Sequence, residues 1–170
     1  MIKIGDKLIY EEKVSSIWTE VVFLTLMTLF FLLSIWRLIT DRLDILTVVF
    51  FCLSTMFLFY SLNYRTLIIR MTEESLKLIF GVFTWRVPFE NIAECHLDDL
   101  PFLMKYAGAG IHFMFVCKKY RASLNFLEHS RVVVRLKRKV GLVRDVSFST
   151  CRPDELVQLI QGAITVNGAA

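Results

Sequence analysis

The chain has 170 residues, of which 55% are hydrophobic, a mean hydropathy of +0.55 and a formal charge of +4. That apolar share is too high for an ordinary soluble domain and too low for a wholly membrane-embedded one, so a mixed class is expected. The charge excess is small and no recognition motif accompanies it, which argues against nucleic-acid binding.

In chain order, residues 1–16 balance Lys3, Lys7 and Lys13 against three acids and read as a cytoplasmic N-terminal segment. Two apolar runs follow, Ile17 to Ile39 and Leu43 to Leu62, each of the length a helix needs to cross about 30 Å of hydrocarbon. Only Thr40, Asp41 and Arg42 separate them, so residues 17–62 are predicted to form a transmembrane helical hairpin. The first run is too long for a signal-peptide core, and no small-x-small cleavage site follows it. Lys and Arg are more numerous on the side shared by both ends (Lys3, Lys7, Lys13, Arg65, Arg70) than in the turn, which assigns both termini to the cytoplasm of a multi-pass cell-membrane protein. Trp18 and Trp36 bracket the first helix about 27 Å apart, matching the two interfacial belts, and Tyr60 and Tyr64 are expected to anchor the second. Thr25, Thr28 and Ser34 could hydrogen-bond across to Ser54 and Thr55. Glu20 is shallow enough to reach headgroup water. Two helices cannot enclose a pore alone, so the hairpin reads as an anchor.

From Arg65 the apolar period becomes two residues. Leu67, Ile69 and Met71 alternate with Thr66, Ile68 and Arg70, as a half-buried strand requires. After the polar turn at Thr72-Glu73-Glu74-Ser75, Leu76, Leu78 and Phe80 alternate again, and Gly81 marks a break. Trp85-Arg86-Val87 starts a strand that Pro88 ends or confines to an edge. Further strands are predicted at Ile92–Leu97, Ile111–Cys117 and Arg121–Phe126, and a hairpin pairs Arg131–Lys137 with Leu142–Ser149. A helix starts at Pro153, with Asp154 and Glu155 complementing its dipole and Leu156, Val157, Leu159, Ile160 and Ile164 as its apolar face. Residues 63–165 thus read as a membrane-anchored α+β domain. It would be a bent antiparallel sheet or barrel of about seven strands with a C-terminal helix, the pleckstrin-homology (PH) pattern, followed by a tail at 166–170.

The stretch LIIRMTEESLKLIFGVFTWRVPFENI resembles the opening of bacterial PH-like (bPH) domains in small membrane proteins. The resemblance lies in the apolar strand, the Thr-x-Glu turn, the second strand ending at Gly, and Val87-Pro88-Phe89-Glu90-Asn91-Ile92. Tyr106 to Phe113 is similar to that family's glycine-rich turn before a central strand, with His112 in place of the expected Arg. VSFSTCRPDELVQLI resembles its closing strand and helix, and IGDKLIYEEKV the segment that precedes its helical hairpin, with Asp6 in place of Glu. The resemblance implies the fold and the topology and little about activity.

No nucleophile elbow, P-loop, dinucleotide fingerprint or zinc-protease helix occurs, so neither catalytic residues nor a cofactor are expected. Cys95-His96, His112, Cys117 and His129 contain metal-ligand types, but strand alternation sends Cys95 and His96 to opposite faces, and no metal is expected. Cys52, Cys95, Cys117 and Cys151 show no disulfide spacing, as suits a reducing compartment. Lys118, Lys119, Arg121, Arg135, Lys137, Arg138 and Lys139 are the candidate patch for anionic lipid or an acidic partner, the alternative being a solvated hairpin tip. Leu100, Phe102, Leu103, Met104 and Tyr106 form an apolar loop that could meet the membrane interface, the sheet or another chain. The expected function is a non-enzymatic binding or scaffolding module. It would be an accessory subunit or assembly factor of a membrane complex, partnered by the bilayer and by another membrane protein or a second copy. The alternative is an anionic-lipid sensor using the 131–144 hairpin.

Overall fold

The computed structural model describes residues 7–41, 44–98, 110–116 and 119–168. They divide into two compact units: Ser16–Arg65, and a β-rich unit in which the strand Leu8–Ser15 joins the chain from Thr66 onward.

The first unit is a helical hairpin of α1 (Ile17–Asp41) and α2 (Ile45–Asn63), both long and apolar enough to cross a membrane. Aromatic rings fill the seam: Phe23 lies against Phe57 and Tyr60, and Phe30 stacks on Phe57 with centroids 5.7 Å apart. Two of the hydroxyls bond across the pair as expected, Ser34 Oγ to the Thr47 carbonyl (3.3 Å) and Ser54 Oγ to that of Met27 (3.1 Å). Thr28 and Thr55 instead donate to carbonyls four residues back on their own helices. Asp44 caps α2 by accepting from the Thr47 amide, and its second oxygen pairs with Arg37 at 2.7 Å. Glu20 pairs with Arg65 at 2.8 Å, so the one carboxylate in the body of α1 is matched near its end. Trp18 and Trp36 are exposed at opposite ends of α1. Tyr64 is buried, its ring 5.0 Å from that of Tyr60.

The second unit contains two sheets and a helix. β1 (Leu8–Ser15), β2 (Thr66–Thr72), β3 (Ser75–Phe80) and β4 (Phe83–Pro88) make an antiparallel sheet in that order. A single 3₁₀ turn, Phe89–Asn91, leads to β5 (Ile92–Leu97). With β6 (Gly110–Val116), β7 (Lys119–Asn125), β8 (Ser130–Val140) and β9 (Val143–Thr150), it makes a five-stranded sheet of order β5-β8-β9-β7-β6. The helix α3 (Pro153–Gly168) packs on β5, β8 and the 3₁₀ turn. Two features were not expected. The N-terminal strand β1 belongs to the sheet, and β7 pairs with β9 in parallel within an otherwise antiparallel arrangement.

The alternation read from sequence holds at the core. Leu67, Ile69 and Met71 of β2, and Leu76, Leu78 and Phe80 of β3, are almost fully buried. They meet Val132, Val134 and Leu136 of β8, Val146 and Phe148 of β9, and Leu156 and Ile160 of α3 as the buried apolar set. Each such side chain contributes roughly 1.5–3 kcal/mol by leaving water. Phe80 and Phe126 link the two sheets edge to face at 5.3 Å. The two-residue β3–β4 and β8–β9 turns each place Gly first, Gly81 at φ +59° and Gly141 at φ +61°, where a Cβ is strained.

Candidate functional site

The outward face of the five-stranded sheet carries charge where solvent would be expected, yet much of it is buried. Cross-strand register sets Arg135 of β8 opposite Asp145 of β9, and Asp145 opposite Arg121 of β7. Arg121 donates to Asp98, just beyond β5, at 2.9 Å and lies 3.9 Å from Asp145. Arg135 reaches Glu94 of β5 and lies 3.7 Å from Asp145. Asp98 also accepts from Ser147 Oγ (3.4 Å), and its amide donates to the Arg131 carbonyl. Three arginines (121, 131, 135) and three acids (94, 98, 145) therefore share one face. The side chains of Asp98 and Asp145 are each 4% exposed. Charges buried this deeply persist only when paired, and removing one partner is far more damaging than removing both. Beside them Ser123 and Asn125 are buried without a hydrogen-bond partner among the described residues, and burial, then the charge of Arg131, holds His112 below its ordinary pKa.

This geometry divides the candidate basic patch. Arg121 is buried and ion-paired, and Arg135 is half-buried between two carboxylates, so neither presents a free positive charge to an anionic surface. The cause is lateral pairing: their counter-charges sit on neighbouring strands, far away in sequence. Lys137, Arg138 and Lys139 remain exposed, and Lys119 is half-buried at the start of β7. Arg144, absent from the predicted set, is exposed beside them. The backbone in the register shift between Arg135 and Val140 is held by Asn91, which accepts from the Arg138 amide (2.7 Å) and donates to its carbonyl (3.1 Å). Lys137, Arg138, Glu90, Asn91 and Pro88 line a groove of about 300 Å³. Lys118 and the apolar loop residues Leu100, Phe102, Leu103, Met104 and Tyr106 lie outside the described residues.

A second cluster escaped sequence reading altogether. Glu12 of β1, 6% exposed, accepts from Tyr10 Oη (2.8 Å), Thr150 Oγ1 (2.6 Å) and the Cys151 amide (2.8 Å). Burial opposes ionisation, but those donors together hold its carboxyl below the ordinary value. The Arg152 guanidinium lies 4.9 Å over the Tyr10 ring. Nearby, His129 contacts the Ser15 carbonyl through Nε2 (2.8 Å) and Cys151 Sγ through Nδ1 (3.7 Å). This resembles a thiol with a base, but burial, then Glu12, push the Cys151 thiol up, opposite to what a nucleophilic cysteine needs. The cluster is a clamp between β1 and the β9–α3 junction. The only sequence signal was the period-2 pattern of Tyr10, Glu12 and Val14, with a glutamate at an inward position.

Cys95 and His96 do point apart. Cys95 is buried with its thiol pushed up to about 12, while His96 is half-exposed, 3.8 Å from Glu94. Among the described residues no group of three or more His, Cys, Asp or Glu side chains could hold a metal. No protein-family model matches the chain, and neither the curated proteins nor the solved structures contain a match to it.

Proposed function

We propose that the chain is a membrane-anchored PH-like binding module, acting without chemistry of its own as an accessory or assembly subunit of a larger membrane protein complex. The observation that carries this reading is the point at which the hairpin enters the β unit. Ser15 pairs with Thr66 at one end of the β1–β2 ladder, α1 begins just after the first, and α2 ends just before the second. An apolar hairpin spliced between two paired strands ties the sheet to a bilayer by two adjacent connections, and both helix ends are then kept on one membrane side. The excess of Lys and Arg on that side favours the cytoplasm. The PH-like reading draws on the order of elements, a four-stranded antiparallel sheet, further strands and a C-terminal helix packed on them. It departs from that pattern in the added β1 and the parallel β7–β9 pair.

Support for a binding rather than catalytic role comes from how the polar side chains are used. The buried acids Glu12 and Asp98 accept hydrogen bonds from structural donors, and Asp145 lies 3.9 Å from Arg121 and 3.7 Å from Arg135. Anchoring itself supplies function, because it raises the effective concentration of the domain towards membrane partners. Purification of the tagged full chain from native membranes in mild detergent, with mass spectrometry of what accompanies it, tests the reading. A stoichiometric membrane-protein partner supports it. A chain that arrives alone, or one with turnover that survives rigorous purification, refutes it.

A further inference from the structure

The two sheets have four edge strands, and three of them are guarded. β1 is bound through Glu12 to Thr150 and Cys151 at the end of β9. β4 exposes Arg86 and closes on Pro88, two devices that blunt an edge. α3 packs against β5, where Gln161 Nε2 donates to the Cys95 carbonyl at 3.0 Å. β6 carries none of these. Its seven residues, Gly-Ile-His-Phe-Met-Phe-Val, include no Lys, Arg, Asp, Glu or Pro, and among the described residues it pairs with β7 alone. That pairing runs its whole length without a register shift, so no bulge twists the outer edge away. Phe113 and Phe115 are 60% and 64% exposed, and the Phe115 ring meets Tyr120 edge to face at 5.2 Å. His112, the one titratable side chain of β6, is held below its ordinary pKa by burial and then by Arg131, so the strand is uncharged at neutral pH.

An unguarded, uncharged edge of this length is a template for another strand. We propose that β6 pairs antiparallel with β6 of a second copy of this chain, centred on Phe113, so that two five-stranded sheets become one continuous sheet. The strand is complementary to itself. A pairing centred on a residue joins positions of like parity, so the outward N–H and C=O groups of one copy meet those of the other. Phe113 then lies opposite its own counterpart and Ile111 opposite Phe115, on the face that β6 shares with Ala122 and Leu124. These are aromatic and aromatic–β-branched cross-strand pairs, the kinds that stabilise a ladder, and they cover the two exposed rings. A charged strand from another protein finds no counter-charge here, whereas a copy brings an equally neutral one. A two-fold contact also closes at two chains, so an edge that would otherwise propagate is consumed. Pairing through β6 is independent of the accessory-subunit reading: a chain purified as a dimer with no other protein refutes that reading and leaves this one standing.

The test uses the full chain in mild detergent, with Cys52, Cys117 and Cys151 replaced by Ser and single cysteines introduced along β6. Opposed Cα atoms in such a pair lie about 4.5–5.5 Å apart, within disulfide range. Mild oxidation should link Phe113→Cys to itself, and Ile111→Cys to Phe115→Cys in mixed samples. Ile111→Cys alone is offset from its counterpart by about 14 Å along the strands and should link several-fold more slowly, as should Thr84→Cys on β4. Without oxidation, sedimentation should give a mass of two chains for the unmodified protein and one for Phe113→Glu, with β-sheet circular dichroism unchanged. Equal linking at Ile111 and Phe113 reports random collision and overturns the proposal. So does a single-chain mass for the unmodified protein, or a dimer that Phe113→Glu leaves intact. A photo-reactive group in place of the Phe115 ring, used in native membranes, identifies the occupant directly. Capture of a second copy supports the proposal, and capture of a different protein overturns it.

Discussion

Replacing Glu12 by Ala would test whether the strand ahead of the hairpin is an integral part of the β unit. The side chain is 6% exposed and accepts three hydrogen bonds of 2.6–2.8 Å from Tyr10, Thr150 and the Cys151 amide. Bonds to an ionised acceptor are about twice as strong as neutral ones, and a buried donor left without its partner costs roughly 1–3 kcal/mol. The two hydroxyls can rotate towards other acceptors, whereas the amide cannot, so the full loss should be about 3–5 kcal/mol. A domain of this size has only about 5–15 kcal/mol in total. Glu11, the next residue, is the internal control. It faces the other way, pairs with Arg70 at 3.1 Å with both groups part-exposed, and should cost less than about 1 kcal/mol when changed to Ala. The assay is denaturant unfolding of the full chain in detergent, followed by β-sheet circular dichroism. Equal midpoints for the Glu11 and Glu12 variants would refute the clamp. The pH dependence gives a second reading. Because the folded-state pKa of Glu12 is lowered, its stabilisation is present above the unfolded value of 4.5 and is lost as pH falls through the folded value. Glu12→Gln should flatten that acid limb.

Asp145→Ala removes the 3.9 and 3.7 Å ion pairs to Arg121 and Arg135, which keep Asp98 and Glu94, and should cost about 1–3 kcal/mol, seen as a lowered denaturant midpoint; an effect below that of Glu11→Ala would show that the network carries little. Gly141→Ala meets no atom within 4 Å but forces a side chain to φ +61°, so a loss of about 1 kcal/mol is expected from the same assay, and no loss would mean the turn relaxes. Cys95, its thiol pushed up to about 12, should resist alkylation until the protein unfolds, and its contribution to stability should fade as pH rises from its ordinary value of 9.0 towards 12. Cys95→Ala should remove that part of the alkaline limb, and an unchanged limb would count against the burial argument.

Much of this architecture follows from local rules. Two runs of about 20 apolar residues specify helices long and apolar enough to cross a membrane, because at 1.5 Å per residue that many cover about 30 Å of hydrocarbon. Period-2 alternation marks Leu67 to Met71 and Leu76 to Phe80 as half-buried strands, and Pro153 with Asp154 and Glu155 opens the last helix. Each signal lies within a few residues of the element it defines. The strand β1 gave no such signal strong enough to stand alone, because its partner β2 lies beyond the entire hairpin and its key residue, Glu12, is polar. Its burial makes sense only once Thr150 and Cys151 are brought beside it. The same holds for the arginines. Arg121 and Arg135 look like members of a basic patch when charges are counted along the chain, but register places Asp98, Asp145 and Glu94 against them from other strands. Conversely, β6 reads as a strand from its own residues, but its place at an unguarded edge depends on strand order, which no window of sequence contains. Helices and alternation depend on neighbours in the chain and were determined by sequence alone; the sign and solvent exposure of a charge depend on neighbours in space, and only the tertiary structure decided them.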